Sequence, residues 1–239
     1  YEIDRLKQSF VSMVSHELRS PLMSIQMCLT MILKGFFGAL SEEGVHSVHV
    51  ADKSVLRLIS LVNEILDVER LESGTISIDP KKVSLQSILE LASGSVQALA
   101  IANSISIETS KCESTVFVDQ NRIVQVLVNL LSNAIKFSPV NSKILIEVDE
   151  TRGTHALVSV RDFGRGIPED HLELIFNRFH QVSKSDATEK GGAGLGLAIC
   201  KAIIDAHKGE ISVGSKPGEG SCFSFTVPFT HEEFDDDED

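Results

Sequence analysis

The feature that most restricts how this chain can fold is an apolar seam at alternating spacings of three and four: Val48, Ala51, Val55, Leu58, Val62 and Ile65. A helix carrying such a seam keeps one stripe pointed at a partner helix along its whole length. Upstream, Ile3, Leu6, Phe10 and Met13, then Ile25, Leu29 and Ile32 beyond Pro21, give a second helical stripe. Gly35 and Gly38 break it, and Ser41-Glu-Glu43 offers a capped start to the next helix. Two helices joined by so short a loop form a hairpin whose apolar faces are too wide to satisfy each other, so a homodimeric four-helix bundle is expected. A monomeric hairpin packed on the downstream domain is the competing arrangement. Gly74 is placed to cap the second helix.

The pattern then changes. Thr75 to Val83 alternates apolar and polar residues and carries Pro80, as a short strand or extended linker would, and the domain boundary is placed there. From Ser84 onward helical periodicity covers Leu85–Ala102, Asp119–Lys136 and Gly194–His207. Strand-like runs lie at 105–109, 116–118, 144–148, 156–160, 211–213 and 223–227. Turn signals sit at Arg152-Gly153 and Lys216–Gly220. Such a series predicts an α+β sandwich, helices on one face of a mostly antiparallel sheet. The expected divisions are residues 1–73 for the hairpin, 74–82 for the linker, 83–229 for the second domain and 230–239 for an acidic disordered tail.

Charge narrows the partners. Of the formal −12, seven negative charges belong to the ending Glu232–Asp239, and the remainder lacks the basic excess of a nucleic-acid-binding surface. Cys28, Cys112, Cys200 and Cys222 are widely separated, with no C-x-x-C pair, which reads as reduced thiols in a cytoplasmic protein. Tyr1–Lys7 is charged helix rather than a signal peptide, and the missing initiator Met suggests a fragment of something larger. Leu22–Leu40 has the length of a membrane span, but Ser24, Gln26, Thr30, Lys34 and two glycines favour an amphipathic helix running into a loop.

Two glycine clusters carry the chemistry. Asp162-Phe-Gly-Arg-Gly-Ile167 follows a strand and Gly191-Gly-Ala-Gly-Leu-Gly196 opens a helix. Glycines let a phosphate approach the backbone, and free N–H groups at a helix start attract anions. A P-loop is excluded, since no G-x-x-x-x-G-K-[ST] run exists, and a dinucleotide fingerprint fails at Leu197. Asp162-Phe-Gly164 imitates a protein-kinase triplet, yet no H-R-D loop precedes it. Between Asn129 and Phe137, Asn129 and Asn133 project from one helical face with Lys136 one turn along, a set of uncharged oxygens and one cation suited to a magnesium-bound triphosphate.

Together these stretches resemble the sensor histidine kinases. Ser15-His-Glu-Leu-Arg-Ser-Pro-Leu22 is similar to their H box, Asn129–Pro139 to the N box and Asp162–Ile167 to the first glycine box. Ile175-Phe-Asn-Arg-Phe179 is similar to the F box, Gly192–Leu197 to the second glycine box and Gly218–Phe223 to the closing glycine turn. The resemblance implies a dimerisation and histidine-phosphotransfer hairpin followed by a catalytic ATP-binding domain of the GHKL fold. It implies ATP and Mg2+ as cofactors, with Asn133 as metal ligand, Asn129 and Lys136 on the phosphates and Asp162 as acceptor for the adenine amino group. Gly164 and Gly166 lie near the base, Gly192, Gly194 and Gly196 cradle the phosphates, and Phe176 and Leu195 fall with them on the nucleotide side. Asn177–Gly191 corresponds to a mobile ATP lid. Ser20 stands where Thr is common, Phe137 where Tyr is frequent and Ala193 where Thr or Ser often sits.

On this resemblance His16 is the phospho-acceptor, a neutral imidazole being a nucleophile near neutral pH. Glu17 is placed to orient or deprotonate it, and Ser20, one turn on, to hold water or a phosphoryl oxygen. Pro21 deprives the Glu17 carbonyl of its helical donor and is expected to bend the helix. The expected function is ATP-dependent autophosphorylation of His16 and transfer to an aspartate of a response-regulator receiver domain, with phospho-regulator phosphatase activity as a further capacity. The expected partners are a second copy of the chain and that regulator, with no nucleic acid. Any membrane contact would come through a sensor part absent from this chain. A nucleotide-sensing scaffold and a GHKL conformational ATPase are the rival readings.

Overall fold

The computed structural model describes residues 2–72, 78–151, 153–182 and 194–229. The chain divides into two compact units, Tyr1–Thr75 and Ile76–Asp239.

The first unit is a pair of packed helices, α1 (Glu2–Leu33) and α2 (Glu42–Glu72). α1 continues through Pro21. Its run of apolar residues ends at Leu33, so the Leu22–Leu40 stretch is helix followed by turn and loop. Gly35 and Gly38 hold the left-handed φ values of 79° and 103° that reverse the chain. Ser41 starts α2, its hydroxyl accepting the Gly44 N–H at 3.1 Å and its carbonyl the Val45 N–H at 2.9 Å. The seam divides: Val55 and Val62 are buried, whereas Leu58 keeps 48% of its surface exposed. Met23, Ile25 and Met27 on α1 and Val50 and Leu56 on α2 are also exposed. The hairpin by itself leaves much of its apolar surface in water.

The second unit runs β1 (Lys81–Ser84), α3 (Leu85–Ala102), β2 (Ser106–Thr109), β3 (Thr115–Val118), α4 (Gln120–Phe137), β4 (Lys143–Asp149) and β5 (His155–Asp162). A 3-10 turn (Glu169–His171), α5 (Gly196–Ala206), β6 (Ile211–Lys216) and β7 (Gly220–Pro228) complete it. The main sheet has the order β2-β4-β5-β7-β6, antiparallel except for the parallel β2–β4 pair, and β1 and β3 form a separate antiparallel ribbon. Alternation places Val158 and Val160 of β5 and Phe223, Phe225 and Val227 of β7 in the core. α4 buries Ile123, Val126, Leu127, Leu130, Leu131 and Ala134 at helical spacing and packs between α3 and α5. α3 is long and apolar enough to cross a membrane. Its buried Leu85, Ile88, Leu89, Ala92 and Val96 instead belong to this core.

One buried polar residue ties three parts of this unit together. His207, just past α5 and 3% exposed, donates from Nδ1 to the Ile203 carbonyl at 2.7 Å. Its Nε2 accepts the Asp119 backbone N–H at 2.9 Å. Asp119 in turn caps α4, Oδ1 accepting from Asn121 and Arg122, while Oδ2 accepts the Asp79 N–H. Burial lowers the pKa of His207 below its ordinary value, because an imidazolium here would be poorly solvated. A depressed folded-state pKa means that the stability it contributes is present above the unfolded value of about 6.5 and is lost as pH falls through the folded value. Thermal stability of the second unit is therefore expected to fall on acidification below about pH 6.5. His207→Leu should flatten that dependence while costing about 1–3 kcal/mol at pH 7.5, from the orphaned Asp119 N–H; an unchanged pH profile in the variant would contradict the assignment.

Candidate nucleotide-binding site and phospho-acceptor helix

The site is assembled where β5 ends. Asp162 is the last residue of that strand and its alternation turns it inward, leaving it 6% exposed. Its Oδ1 accepts the Gly164 N–H at 2.9 Å and the Ser221 N–H at 3.2 Å, the second from the adjoining strand β7. Burial raises the carboxyl pKa, and these two N–H groups oppose the rise. Oδ2 takes no hydrogen bond among the described residues, which leaves an inward-held acceptor for an amino group.

Glycines permit that geometry. A Cβ on Gly164 would lie 2.5 Å from the Phe137 carbonyl oxygen, and one on Gly166, whose φ is +72°, would strike the Lys216 backbone. Gly220 lies against the Asp162 carbonyl in the same way. The first glycine cluster is therefore clasped by the end of α4 on one side and the β6–β7 turn on the other. Ser215 completes the clasp, its hydroxyl accepting the Ile167 N–H and donating to the Gly220 carbonyl, each near 2.9 Å. Ser215 and Ser221 were invisible to sequence reasoning, because serines in strands carry no pattern. Gly218–Gly220, already singled out as a turn, was the only signal pointing toward them.

α4 supplies the second wall. Asn133 donates from Nδ2 to the Asn129 Oδ1 at 3.2 Å, so the two amides sit side by side on one face, as their spacing predicted. This bond leaves the Asn133 Oδ1 free of partners among the described residues. Lys136 and Arg165 both lie against the Phe137 ring, at 4.9 and 4.7 Å from its centroid. Across from α4, the amide of Asn129 rests on Gly196, where even a methyl group would collide. Gly196 is the first residue of α5, and Leu195 before it offers no side-chain cap. The first turn of α5 consequently presents uncapped N–H groups beside Asn129, a favourable environment for an anion.

The remaining candidates are placed as follows. Leu195 buries its side chain, so only its backbone is available to a ligand. Phe176 packs edge-on against Phe223, centroids 6.5 Å apart, which anchors the F box to the core. Gly194, at φ +72°, has its carbonyl bonded to the Phe179 N–H at 2.9 Å. Gly192 and most of the expected lid lie outside the described residues, as do the side chains of His16 and Glu17, whose backbone is part of α1. Ser20 is exposed on α1. A separate cavity of about 360 Å³, lined by Ser106, Asn141, Ser142, Lys143 and Phe163, includes none of the candidate site residues.

The donor set fits a nucleotide with magnesium. Among the described residues no group of three or more His, Cys, Asp or Glu side chains could hold a metal ion. A single uncharged Asn133 oxygen suits a hard cation whose other ligands are phosphates and water.

Comparison with known proteins agrees with this geometry. Residues 118–231 match the family described as histidine kinase-, DNA gyrase B- and HSP90-like ATPase, and residues 6–74 match the His Kinase A phospho-acceptor domain. The chain thus joins a phospho-acceptor hairpin to a GHKL-type ATPase domain. It belongs to the sensor histidine kinases of two-component systems. It is 31% identical to the sensor histidine kinase WalK of Bacillus subtilis over 98% of its length, and 33% identical to the sensor protein SrrB of Staphylococcus aureus over 95%. It spans 39% of the length of each of these relatives. Full-length ShkA in complex with AMPPNP superposes with a TM-score of 0.75 at 30% identity, covering 93% of this chain and 46% of ShkA. Acinetobacter baumannii AdeS gives 0.61 at 26% identity, covering 90% of this chain and 98% of AdeS.

Asn in place of Asp162 keeps the side-chain volume and can leave an oxygen on the Gly164 and Ser221 N–H groups, but it then turns an NH2 donor toward the position where an amino group would donate. Adenine-nucleotide affinity is expected to fall by at least about tenfold, equivalent to about 1.4 kcal/mol, with the fold retained. Titration with a fluorescent ATP analogue alongside circular dichroism checks this; undiminished affinity would remove Asp162 from the site.

Proposed function

We propose that this chain is the catalytic core of an ATP-dependent protein histidine kinase that autophosphorylates His16 and passes the phosphoryl group to an aspartate of a response-regulator receiver domain. The observation that carries the reading is the pairing of two features. A buried Asp162 acceptor is held by glycine-flanked backbone, and the start of α5, which has no side-chain cap, lies against Asn129, itself bonded to Asn133. One end suits an adenine and the other a phosphate chain. Residues 1–73 would serve as the dimerisation and phosphotransfer hairpin, 74–82 as linker, 83–229 as the catalytic ATP-binding domain and 230–239 as an acidic tail. The cytoplasm, where ATP and receiver domains are found, is its proposed location.

In this reading Asp162 accepts from the adenine amino group, with Gly164 and Gly166 giving the base room. Asn129, Lys136 and the N–H groups at Gly196 bind the phosphates, and Gly192, Gly194 and Leu195 contribute backbone beside them. Phe176 supports that wall by its packing on Phe223. Asn133 would hold Mg2+ through its free amide oxygen, and the ion supplies charge neutralisation on the phosphates when bound. His16 attacks the γ-phosphorus with its neutral nitrogen, the bond to the β,γ-bridging oxygen breaks and ADP leaves. Glu17 orients the ring or receives its proton. Ser20, exposed one turn beyond His16, is positioned for the water of a phosphatase reaction. The apolar surface left open on α1 and α2 supports a homodimer closing a four-helix bundle.

Incubation with γ-labelled ATP should give acid-labile, alkali-stable label on the wild-type chain and none on His16→Gln, whose nucleotide affinity should match wild type. Label that persists in this variant would assign the acceptor elsewhere.

Asn133→Ala should suppress the same labelling by removing the metal ligand. It should also abolish the enhancement of nucleotide binding by Mg2+ while binding without the metal changes little; an intact magnesium effect would exclude Asn133 as the ligand.

A further inference from the structure

Two imidazoles face each other at a position the proposed reaction does not use. His171 ends the 3-10 turn and His180 follows the F box. The Nδ1 of the first lies 2.9 Å from the Nε2 of the second, with the rings 5.1 Å apart and inclined at 43°. Both are partly buried, so neither ring points freely into solvent. One must donate and the other accept. The largely exposed Asp170 carboxylate stands 4.0 Å from the far nitrogen of His171, Nε2, too far for a hydrogen bond, and its charge favours the proton on that side. With the proton there, Nδ1 of His171 is a lone pair aimed at His180.

Two ring nitrogens this close can ligate one transition metal when both present lone pairs, imidazole being a preferred ligand of that class. We propose that His171 and His180 form a binding site for a divalent transition metal of the imidazole-preferring class, such as Zn2+, Ni2+ or Cu2+. Two Zn–N bonds at tetrahedral angles set the nitrogens about 3.3 Å apart, so the rings must separate by a few tenths of an ångström and each must turn to aim its lone pair at the ion instead of at the other ring. Water fills the other positions, since no third His, Cys, Asp or Glu among the described residues completes the set. His180 must carry its proton on Nδ1 instead of Nε2, a tautomer shift that conserves the proton count.

The location gives the site a consequence. Phe179, left-handed at φ 61°, bonds through its N–H to the Gly194 carbonyl, and a Cβ on Gly194 would lie 2.9 Å from the His180 carbonyl oxygen. A metal joining His180 to His171 therefore fastens the 3-10 turn to the segment that grips Gly194, two residues before α5. Occupancy would stiffen the approach to the proposed phosphate end.

Zinc alone, titrated into the nucleotide-free full chain against a chelating dye, tests the site. Six other histidines remain in every protein compared, so the site appears as a difference. His171→Gln and His180→Gln should each lose the same single equivalent of zinc, and the double variant should lose no more. Zinc should also slow amide exchange across 177–182 in wild type and leave it unchanged in both His variants. Equal zinc stoichiometry and affinity in wild type and either single variant, with circular dichroism unaltered, would overturn the proposal.

Discussion

The second unit depends on keeping a carboxylate out of water at the end of a central strand. Asp162 would be costly to bury alone, since desolvation of an ionised group opposes folding. Two backbone N–H groups from different segments, Gly164 and Ser221, converge on one of its oxygens and offset part of that cost. The other oxygen stays available, which is what a binding site needs and a packing residue would not. Everything around it serves that end. Gly164, Gly166 and Gly220 bring backbone so close that a side chain on any of them would collide.

The same close approach links the base end to the phosphate end. Phe137 closes α4, and its carbonyl lies against Gly164 while its ring carries Lys136 and Arg165. One turn and two turns back stand Asn133 and Asn129, bonded to each other, and Asn129 lies against Gly196 at the start of α5. A single helix thus spans the candidate site, from the proposed base end to the proposed phosphate end. Its apolar face, locked between α3 and α5, fixes the polar face in place. The buried His207–Asp119 bond secures the far end of α4 to the end of α5, so both helices that frame the site are tied at their distal termini. A motion of α5 that opened the phosphate end would have to strain or break that bond.

The hairpin follows a different logic. Its seam is regular, yet among its described side chains only Val55 and Val62 are buried, and Leu58 on the same stripe stays half exposed. Apolar surface left open in this way is what the proposed four-helix bundle would cover. Pro21 lies within the unbroken α1 five residues after His16, so the turn that carries the proposed acceptor lacks one backbone hydrogen bond inside an otherwise continuous helix.

Most of this was legible in the sequence because it is local. The helices α3, α4 and α5, the strands and the cap at Ser41 follow from periodicity and turn residues, which depend on neighbours a few positions apart. The spacing of Asn129 and Asn133 likewise set their shared face, and the six ordered motifs carried the resemblance to the family. What the sequence could not decide is which distant backbones meet. That Ser221 completes the Asp162 cradle, that Ser215 buckles the glycine cluster to the β6–β7 turn, and that β2 pairs in parallel with β4 all depend on strand order. The pairing of His171 with His180 is of the same kind: nine residues separate them, and only the fold of the intervening turn and F box brings their nitrogens together. Local spacing sets which side chains share an element; contact across elements is decided by how the whole chain closes around its core.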